Sequence, residues 1–455
     1  MYCGDEIAGV VGDVGTCHCK FGYAGEDVPK HMFRSAAGYL PCSEGGVARE
    51  TTRKKRKKPG TEPAAAHDGQ WFIGDQSLSK PRAHMEVRGP LTDGLVTDWD
   101  LLERLWEHAY ALMRAQPADR PALCVEASWG TRKQRAAHME LMLEGFNCPA
   151  LYIAKAGALA AFGAGRATAL VCELGHVGAA ATPVVEGHVL NRAVRRSDRA
   201  LHWLAEETLR LLAAREHADV APRYAARGAA AAAAPLPSPI HPSYVRYWRE
   251  DVALDFVAAC MRVPSARGWP PGDGSGGDAS SASEMAVSAS EESGSGGEDG
   301  DAPASSYELP DGTIVHVDAE LRGLPGALYL PPPGATAAAA AAAAAAAPHT
   351  APQLCAAALG ASDGDARKEL VNNLVVTGGG ALLRGTAERL THDVARLLPG
   401  AFRVRVLAPP PLERRFGAWI GGSILCCLGT FQQLWLSRAE YAELGPDRAD
   451  DRFGG

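Results

Sequence analysis

Three apolar segments, far apart in the chain, each run straight into a glycine-bearing turn. Ile7 to Val11 reads as a short buried strand followed by Gly12-Asp13-Val14-Gly15-Thr16, and a second strand returns through Gly22-Tyr23-Ala24-Gly25. Leu170-Val171-Cys172 leads into Glu173-Leu174-Gly175, and Leu374-Val375-Val376 into Thr377-Gly378-Gly379-Gly380. A polyphosphate needs several backbone N–H groups converging on it, and glycine lets the main chain come close and take positive φ. Each turn alone is also a plain tight connection, so the weight rests on what lies between them.

What lies between them alternates. Asp98-Trp99-Asp100 opens a helix in which Leu101, Leu102, Leu105, Trp106 and Ala109 recur at helical spacing. Leu123-Cys124-Val125 is a further buried strand, with helices predicted around 131–146 and 154–164. Order resumes from about Leu370, and a last predicted helix runs to about Leu398. Strand and helix alternating in this way argue an α/β fold. Four stretches interrupt it. Residues 43–70 are polar and glycine-rich, around the basic run Arg53-Lys54-Lys55-Arg56-Lys57-Lys58. Residues 221–242 are rich in Ala and Pro, and 264–305 in Gly, Ser, Asp and Glu with little to bury. Residues 334–352 carry the unbroken alanine run Ala337–Ala347. These read as inserts in one fold rather than linkers between independent domains.

The chain is 455 residues long, enough for two or three sizeable cores. A net charge of −7 with 22% charged residues excludes a general polycation. Eleven cysteines without paired spacing suggest a reduced, intracellular protein. Only the alanine tract approaches a membrane span in length, and it is too weakly hydrophobic to be a good one. The start Met1-Tyr2-Cys3-Gly4-Asp5-Glu6 has neither the basic residues nor the apolar run of a signal peptide. A soluble protein is expected.

In the first turn, Lys20 lies four residues beyond Thr16 on the returning strand. The Thr16 hydroxyl and Lys20 ammonium can both meet phosphate oxygens, while Asp13 orders a hydrated divalent cation. The glycine triplet precedes a helix whose N-terminus would favour an anion. Cys17-His18-Cys19 invites a metal reading, but strand alternation puts both thiols on one face with His18 opposite. No second ligand pair has zinc spacing, so no metal site is expected. The basic run at 53–58 reads either as a solvated loop or as a nuclear import signal.

One string follows from no compositional rule: Glu413-Arg414-Arg415-Phe416-Gly417-Ala418-Trp419-Ile420-Gly421-Gly422-Ser423-Ile424-Leu425, continuing into Gly429-Thr430-Phe431-Gln432-Gln433-Leu434-Trp435. It resembles the C-terminal segment of actin and its relatives. Asp13-x-Gly15-Thr16 with Lys20 and Gly22–Asp27 resembles the first phosphate loop of that superfamily, and Val375 to Gly380 its adenosine-contacting turn. Asp98-Trp99-Asp100, Glu126-Ala127 before Trp129, Gly165-Arg166 and Tyr307-Glu308-Leu309-Pro310-Asp311-Gly312 also stand in family-like positions. The resemblance covers roughly 1–40, 71–200, 243–263, 305–333 and 370–445. Glu413-Arg414-Arg415-Phe416, Lys155 in the helix before Phe162, and Leu428-Gly429-Thr430-Phe431 are most similar to the nuclear actin-related protein 4 branch, also called actin-like protein 6 or BAF-type.

The resemblance implies an actin-like ATPase fold, two α/β domains around a central nucleotide cleft. Residues 1–155 with 407–455 would form the first and 156–406 the second. It implies that Asp13, Gly15, Thr16, Lys20, Gly175, Gly378, Gly379, Gly380 and Arg415 hold ATP, with Mg or Ca. The chemistry looks degenerate, however. The family's water-placing glutamine is matched by Ala156. The two Asp and one His of its second phosphate loop are matched by Glu173, His176 and Ala180. A missing water-orienting group removes much of the rate gained from positioning. The expectation is therefore a nuclear, non-catalytic scaffold subunit of chromatin-remodelling or histone acetyltransferase complexes, with ATP as a structural ligand. The branch implies pairing with actin on a helix of a Snf2-type ATPase or acetyltransferase scaffold, with histone contact left open. Phe162, Ile424, Leu425, Leu428 and Phe431 are candidates for the helix-binding groove, with core packing the alternative reading. Six consecutive basic residues in the loop that actins insert into a neighbouring subunit argue against self-polymerisation. The competing reading is an ATPase whose turnover drives assembly, and a sugar kinase of the wider superfamily stands third.

Overall fold

Two sheets of the same plan organise the chain. The computed structural model describes residues 8–41, 69–215, 220–226, 236–265, 306–329 and 350–453. The basic run 53–58, nearly all of the 264–305 insert and the alanine run 337–347 lie outside the described residues.

In the first sheet, strands Val10–Val14, His18–Tyr23 and His31–Arg34 form an antiparallel meander. Ala122–Glu126 and Ala150–Lys155 then join on the other side of Val10–Val14, both parallel to it, and Leu436–Ser437 closes the edge. The second sheet repeats this order. Ala169–Leu174, Ala179–Val185 and His188–Val189 make the meander, while Leu374–Thr377 and Val406–Leu407 add parallel strands beyond Ala169–Leu174. Each meander thus places one tight hairpin beside the carboxyl end of a parallel strand, a usual place for ligands in such sheets.

The first strand begins later than its apolar run suggests, at Val10, and Asp13 and Val14 belong to the strand rather than the turn. The ladder continues because Asp13 stands opposite Lys20 and the two side chains pair. The predicted helix over 131–146 is an α-helix only over Arg132–Met139 and continues as a π-helical stretch, Glu140–Gly145. Lys155 is not within the following helix. It ends its strand and occupies the N-cap position of the helix Ala156–Gly163, buried with its ammonium 2.5 Å from Asn191 Oδ1. A helix missed by the sequence reading, Ala351–Gly360, follows the alanine tract directly and buries Leu354, Cys355, Ala358 and Leu359. Gln353 Oε1 accepts from the Thr350 backbone N–H at 3.2 Å, half of a capping box.

Helices Ala156–Gly163 and Pro411–Cys426 cross between the two sheets in very close contact. A Cβ on Gly421 would lie 1.9 Å from the Leu159 carbonyl oxygen, so the crossing requires glycine there. The Trp419 indole N–H, on the same helix, donates to Val11 O at 3.1 Å and ties the crossing to the first sheet. A smaller antiparallel sheet of Ala37–Pro41, Gly69–Phe72 and Glu86–Arg88 docks on the helix Pro242–Cys260. There Tyr244 Oη donates to Leu78 O at 3.1 Å and Val87 N–H donates to Ser243 Oγ at 2.9 Å. Among the described residues, no helix is long and apolar enough to cross a membrane.

Candidate functional site

Between the two sheets lies a cleft of about 1660 Å³, and the glycine-bearing turns meet in its wall. Asp13, Gly15, Thr16 and Lys20 line it from the first hairpin. Glu173, Gly175 and His176 line it from the second, and Thr377, Gly378 and Gly379 from the third turn. Ala156, Arg415, Arg389 and His392 complete much of the remainder. Thus of the nine residues expected to hold nucleotide, eight face one space. Gly380 does not: it is buried, and a Cβ there would come within 3.0 Å of the Leu174 Cβ. Its small size serves the packing of the turn beneath the second hairpin.

The two hairpin turns close alike. Gly15 N–H donates to His18 O at 3.1 Å, and Gly175 N–H donates to Gly178 O at 3.0 Å. In the third turn, Gly378 has φ of +97°, and a Cβ would sit 2.4 Å from Leu174 O, so only glycine fits. The helix expected directly after it begins only at Thr386, behind the 3₁₀ turn Gly379–Leu382 and Gly385. Its N-terminus is therefore not what the triplet presents to an anion. Arg414 fixes the turn instead. Its carbonyl accepts from Gly378 N–H and Thr377 Oγ1, both at 2.9 Å, and its guanidinium donates to Ala381 O at 2.9 Å. Arg415, expected from the resemblance to hold nucleotide, is exposed in the cleft wall, while Arg414 beside it holds the backbone.

Electrostatics divide the cleft. The Lys20 ammonium is 2.5 Å from Asp13 Oδ2. The Glu173 carboxyl is pushed above its ordinary range, first by burial and then by the nearby Asp13 charge, with Lys20 acting against both. Two carboxyls converging beside a threonine hydroxyl and an open space form an oxygen-rich donor set. That set fits a hydrated Mg or Ca ion carried with phosphates. Burial and the cations Arg34, Arg415 and Lys20 lower His18 to about 4, so this cleft-facing ring is neutral near pH 7. Cys17, adjacent, is raised to about 11 chiefly by burial and is a thiol rather than a thiolate. Both Cys17 and His18 line the cleft, so the predicted separation of the thiols from the imidazole fails at Cys17, which lies in the bend before the strand.

A clasp without any local sequence signature spans one side. Arg34 donates to Asp251 Oδ1 at 2.6 Å and to Tyr247 Oη at 3.3 Å, and its guanidinium lies 5.0 Å from the Trp248 ring centre. It joins the first sheet to the helix Pro242–Cys260 across 217 positions of sequence, a pairing no local pattern reveals.

The candidate partner groove divides. Ile424 and Leu428 are 42% and 40% exposed, and Leu434 nearby is 45% exposed. Leu425 and Phe162 are half-buried. Phe431 is core: 2% exposed, it packs edge-on against Tyr152 at 4.7 Å and against Trp435 at 5.4 Å. It cannot line an open groove as the helix stands.

The actin family profile matches residues 4–454. Actin-related protein 4 of Oryza sativa subsp. indica is 33% identical over 463 aligned residues, covering 98% of each chain. The protein of that name from Arabidopsis thaliana is 32% identical, again over 98% of each. That from Yarrowia lipolytica is 30% identical over 98% of this chain and 96% of its own. The duplicated sheets, the cleft between them and these end-to-end matches agree: the chain belongs to the actin family, in its actin-related protein 4 branch.

Proposed function

We propose that this protein is a non-catalytic actin-family scaffold subunit of nuclear chromatin-remodelling or histone acetyltransferase complexes, in which ATP is a structural ligand. One observation carries the reading. The cleft gathers Asp13, Gly15, Thr16, Lys20, Gly175, Gly378 and Gly379, which would suit phosphates, yet Ala156 lines it with only a methyl at the position the resemblance matches to the family's water-placing glutamine. Backbone N–H groups and Lys20 would grip the phosphates, while Asp13 and Glu173 would face the accompanying cation. A ligand held from both sheets at once adds stability by mass action without any chemistry. When bound, the nucleotide supplies negative charge that offsets Lys20 and Arg415.

The scaffold surface is the exposed apolar end of the helix Pro411–Cys426. Ile424 on its last turn and Leu428 in the extended link just beyond it are both exposed, and together they would meet the apolar stripe of a partner helix. The partners are actin and a helix of a Snf2-type ATPase or acetyltransferase scaffold. A tagged pull-down from nuclear extract, read by mass spectrometry, is expected to recover both with the wild type and neither with Leu428→Asp. Leu428 is exposed, so the substitution leaves the fold intact by circular dichroism. Recovery of the protein alone would overturn the scaffold reading, as would unchanged recovery with Leu428→Asp. Steady-state phosphate release abolished by Asp13→Ala would favour the ATPase reading instead.

A further inference from the structure

The side chains of His176, His202 and Glu250 converge from three separate elements: the second hairpin, the helix Leu201–Ala214 and the helix Pro242–Cys260. One donor atom from each lies within 4.8 Å of the others. Glu250 Oε1 is 3.1 Å from His176 Nε2 and 2.6 Å from His202 Nδ1. The imidazoles meet edge to face with centres 5.8 Å apart. The backbone builds this meeting, because His202 N–H donates to the His176 carbonyl at 2.7 Å. The far nitrogen of His202, Nε2, has Glu206 Oε1 at 3.5 Å. A carboxylate behind the distal nitrogen is how metal-bound imidazoles are commonly oriented.

We infer that His176, His202 and Glu250 form a binding site for a zinc-class divalent ion, distinct from any cation carried with nucleotide. Two imidazole nitrogens and one carboxylate oxygen are the ligand types zinc takes, and three protein ligands leave one position open. Bond lengths of about 2.0–2.2 Å put tetrahedral ligands roughly 3.4 Å apart, so the site closes by small side-chain rotations. Since His176 also lines the cleft, the open position is within reach of water or an anionic oxygen there. The ion would fix the second hairpin to two helices at the point where the family's second aspartate is replaced.

The ligands are 26 and 48 positions apart, which is why spacing within the sequence could not reveal them. The purified full-length protein, stripped with chelator under reducing conditions, tests the proposal with cobalt as a spectroscopic probe and zinc as competitor. One equivalent of cobalt is expected to give visible bands of nitrogen and oxygen ligation, without the charge-transfer absorption of thiolate, and zinc should displace it. His202→Gln should weaken zinc binding by more than about 10-fold, and Glu206→Gln by a smaller factor. Zinc should raise the thermal midpoint of the wild type but not of His202→Gln. Absence of the bands in the wild type, which needs no variant to fold, overturns the site. So do a thiolate spectrum, which assigns the ion to cysteines, and unchanged affinity in folded His202→Gln.

Discussion

The two hairpins have the same backbone and opposite chemistry. Val10–Tyr23 and Ala169–Val185 each cross at a glycine, each close by a hydrogen bond from that glycine to the residue three positions on, and each abut a parallel strand. In the first, the cleft-facing acid Asp13 stands opposite Lys20. At the same place in the second, Glu173 stands opposite Ala180. One acid therefore has a cation across the ladder and the other has a methyl group. The second hairpin's histidine, His176, is turned to Glu250. Glycine and the ladder register keep the turn, while the side chains at matching register positions set its charge. That separation shows how one half of a duplicated fold can carry an ion-paired acid at its turn while the other carries an acid without a cation across the ladder.

The largest effect is expected where the third turn leans on the second hairpin. Gly378→Val places a Cβ 2.4 Å from Leu174 O at a φ of +97°, so it strains its own turn and pushes on the second hairpin. A loss of about 3 kcal/mol or more is expected in denaturant unfolding, together with loss of nucleotide binding. Gly379→Ala is the control, since its Cβ would meet only Leu201 Cδ1, at 3.4 Å, and should cost less than about 1 kcal/mol. Equal losses for the two would show that the turn does not lean on the second hairpin.

A smaller effect separates the hairpins by pH. His18 of the first hairpin is lowered from 6.5 to about 4 by burial and neighbouring cations. The unfolded chain therefore binds this proton first as pH falls, and stability declines from about pH 6.5 down to about pH 4, then levels for this group. Its share is at most about 3.5 kcal/mol, from roughly 1.4 kcal/mol for each pH unit. His18→Gln should flatten that part of the stability profile measured by urea unfolding. Glu250 behaves in a lower window. Burial works to raise it, but hydrogen bonds from His176 and His202 prevail and hold it near 2, so its contribution is lost between about pH 4.5 and 2. If His18→Gln leaves the profile unchanged between pH 6.5 and 4, the ring is solvated and the cleft wall is open to water at this point.

Much of this was legible in the sequence because it is written locally. Asp13, Thr16 and Lys20 lie within eight residues, and each glycine turn follows its own apolar run. The α/β class came from alternation alone, and the family from the string around Trp419. What escaped was set by contacts distant along the chain. The end of the first strand, past Gly12, depended on Asp13 pairing across to Lys20. The helix Ala351–Gly360 was hidden by the alanine tract before it, although Thr350 and Gln353 marked its start. Phe431 carries no local mark that separates a groove anchor from core, and it is Tyr152 and Trp435 that enclose it. Arg34 with Asp251, and the His176–His202–Glu250 cluster, join elements that only the tertiary fold brings together.

The smallest expected change tests the proposed lack of catalysis at the second hairpin. Ala156→Gln restores a water-orienting amide to the cleft wall. If that position alone had silenced the chemistry, ATP turnover should rise by the 100-fold or more that positioning contributes. The ladder argues otherwise. With Ala180 opposite Glu173, the second hairpin has no group at that register to hold the attacking water against the cation, and His176 is committed to Glu250. A placed amide without those partners orients a water that nothing polarises. Single-turnover measurements on Ala156→Gln should therefore show less than about a 10-fold gain, and Ala156→Gln combined with His176→Asp and Ala180→His should exceed it. A large gain from the single change would mean that the two hairpins differ less than their side chains imply, with the fault confined to one helix position outside both.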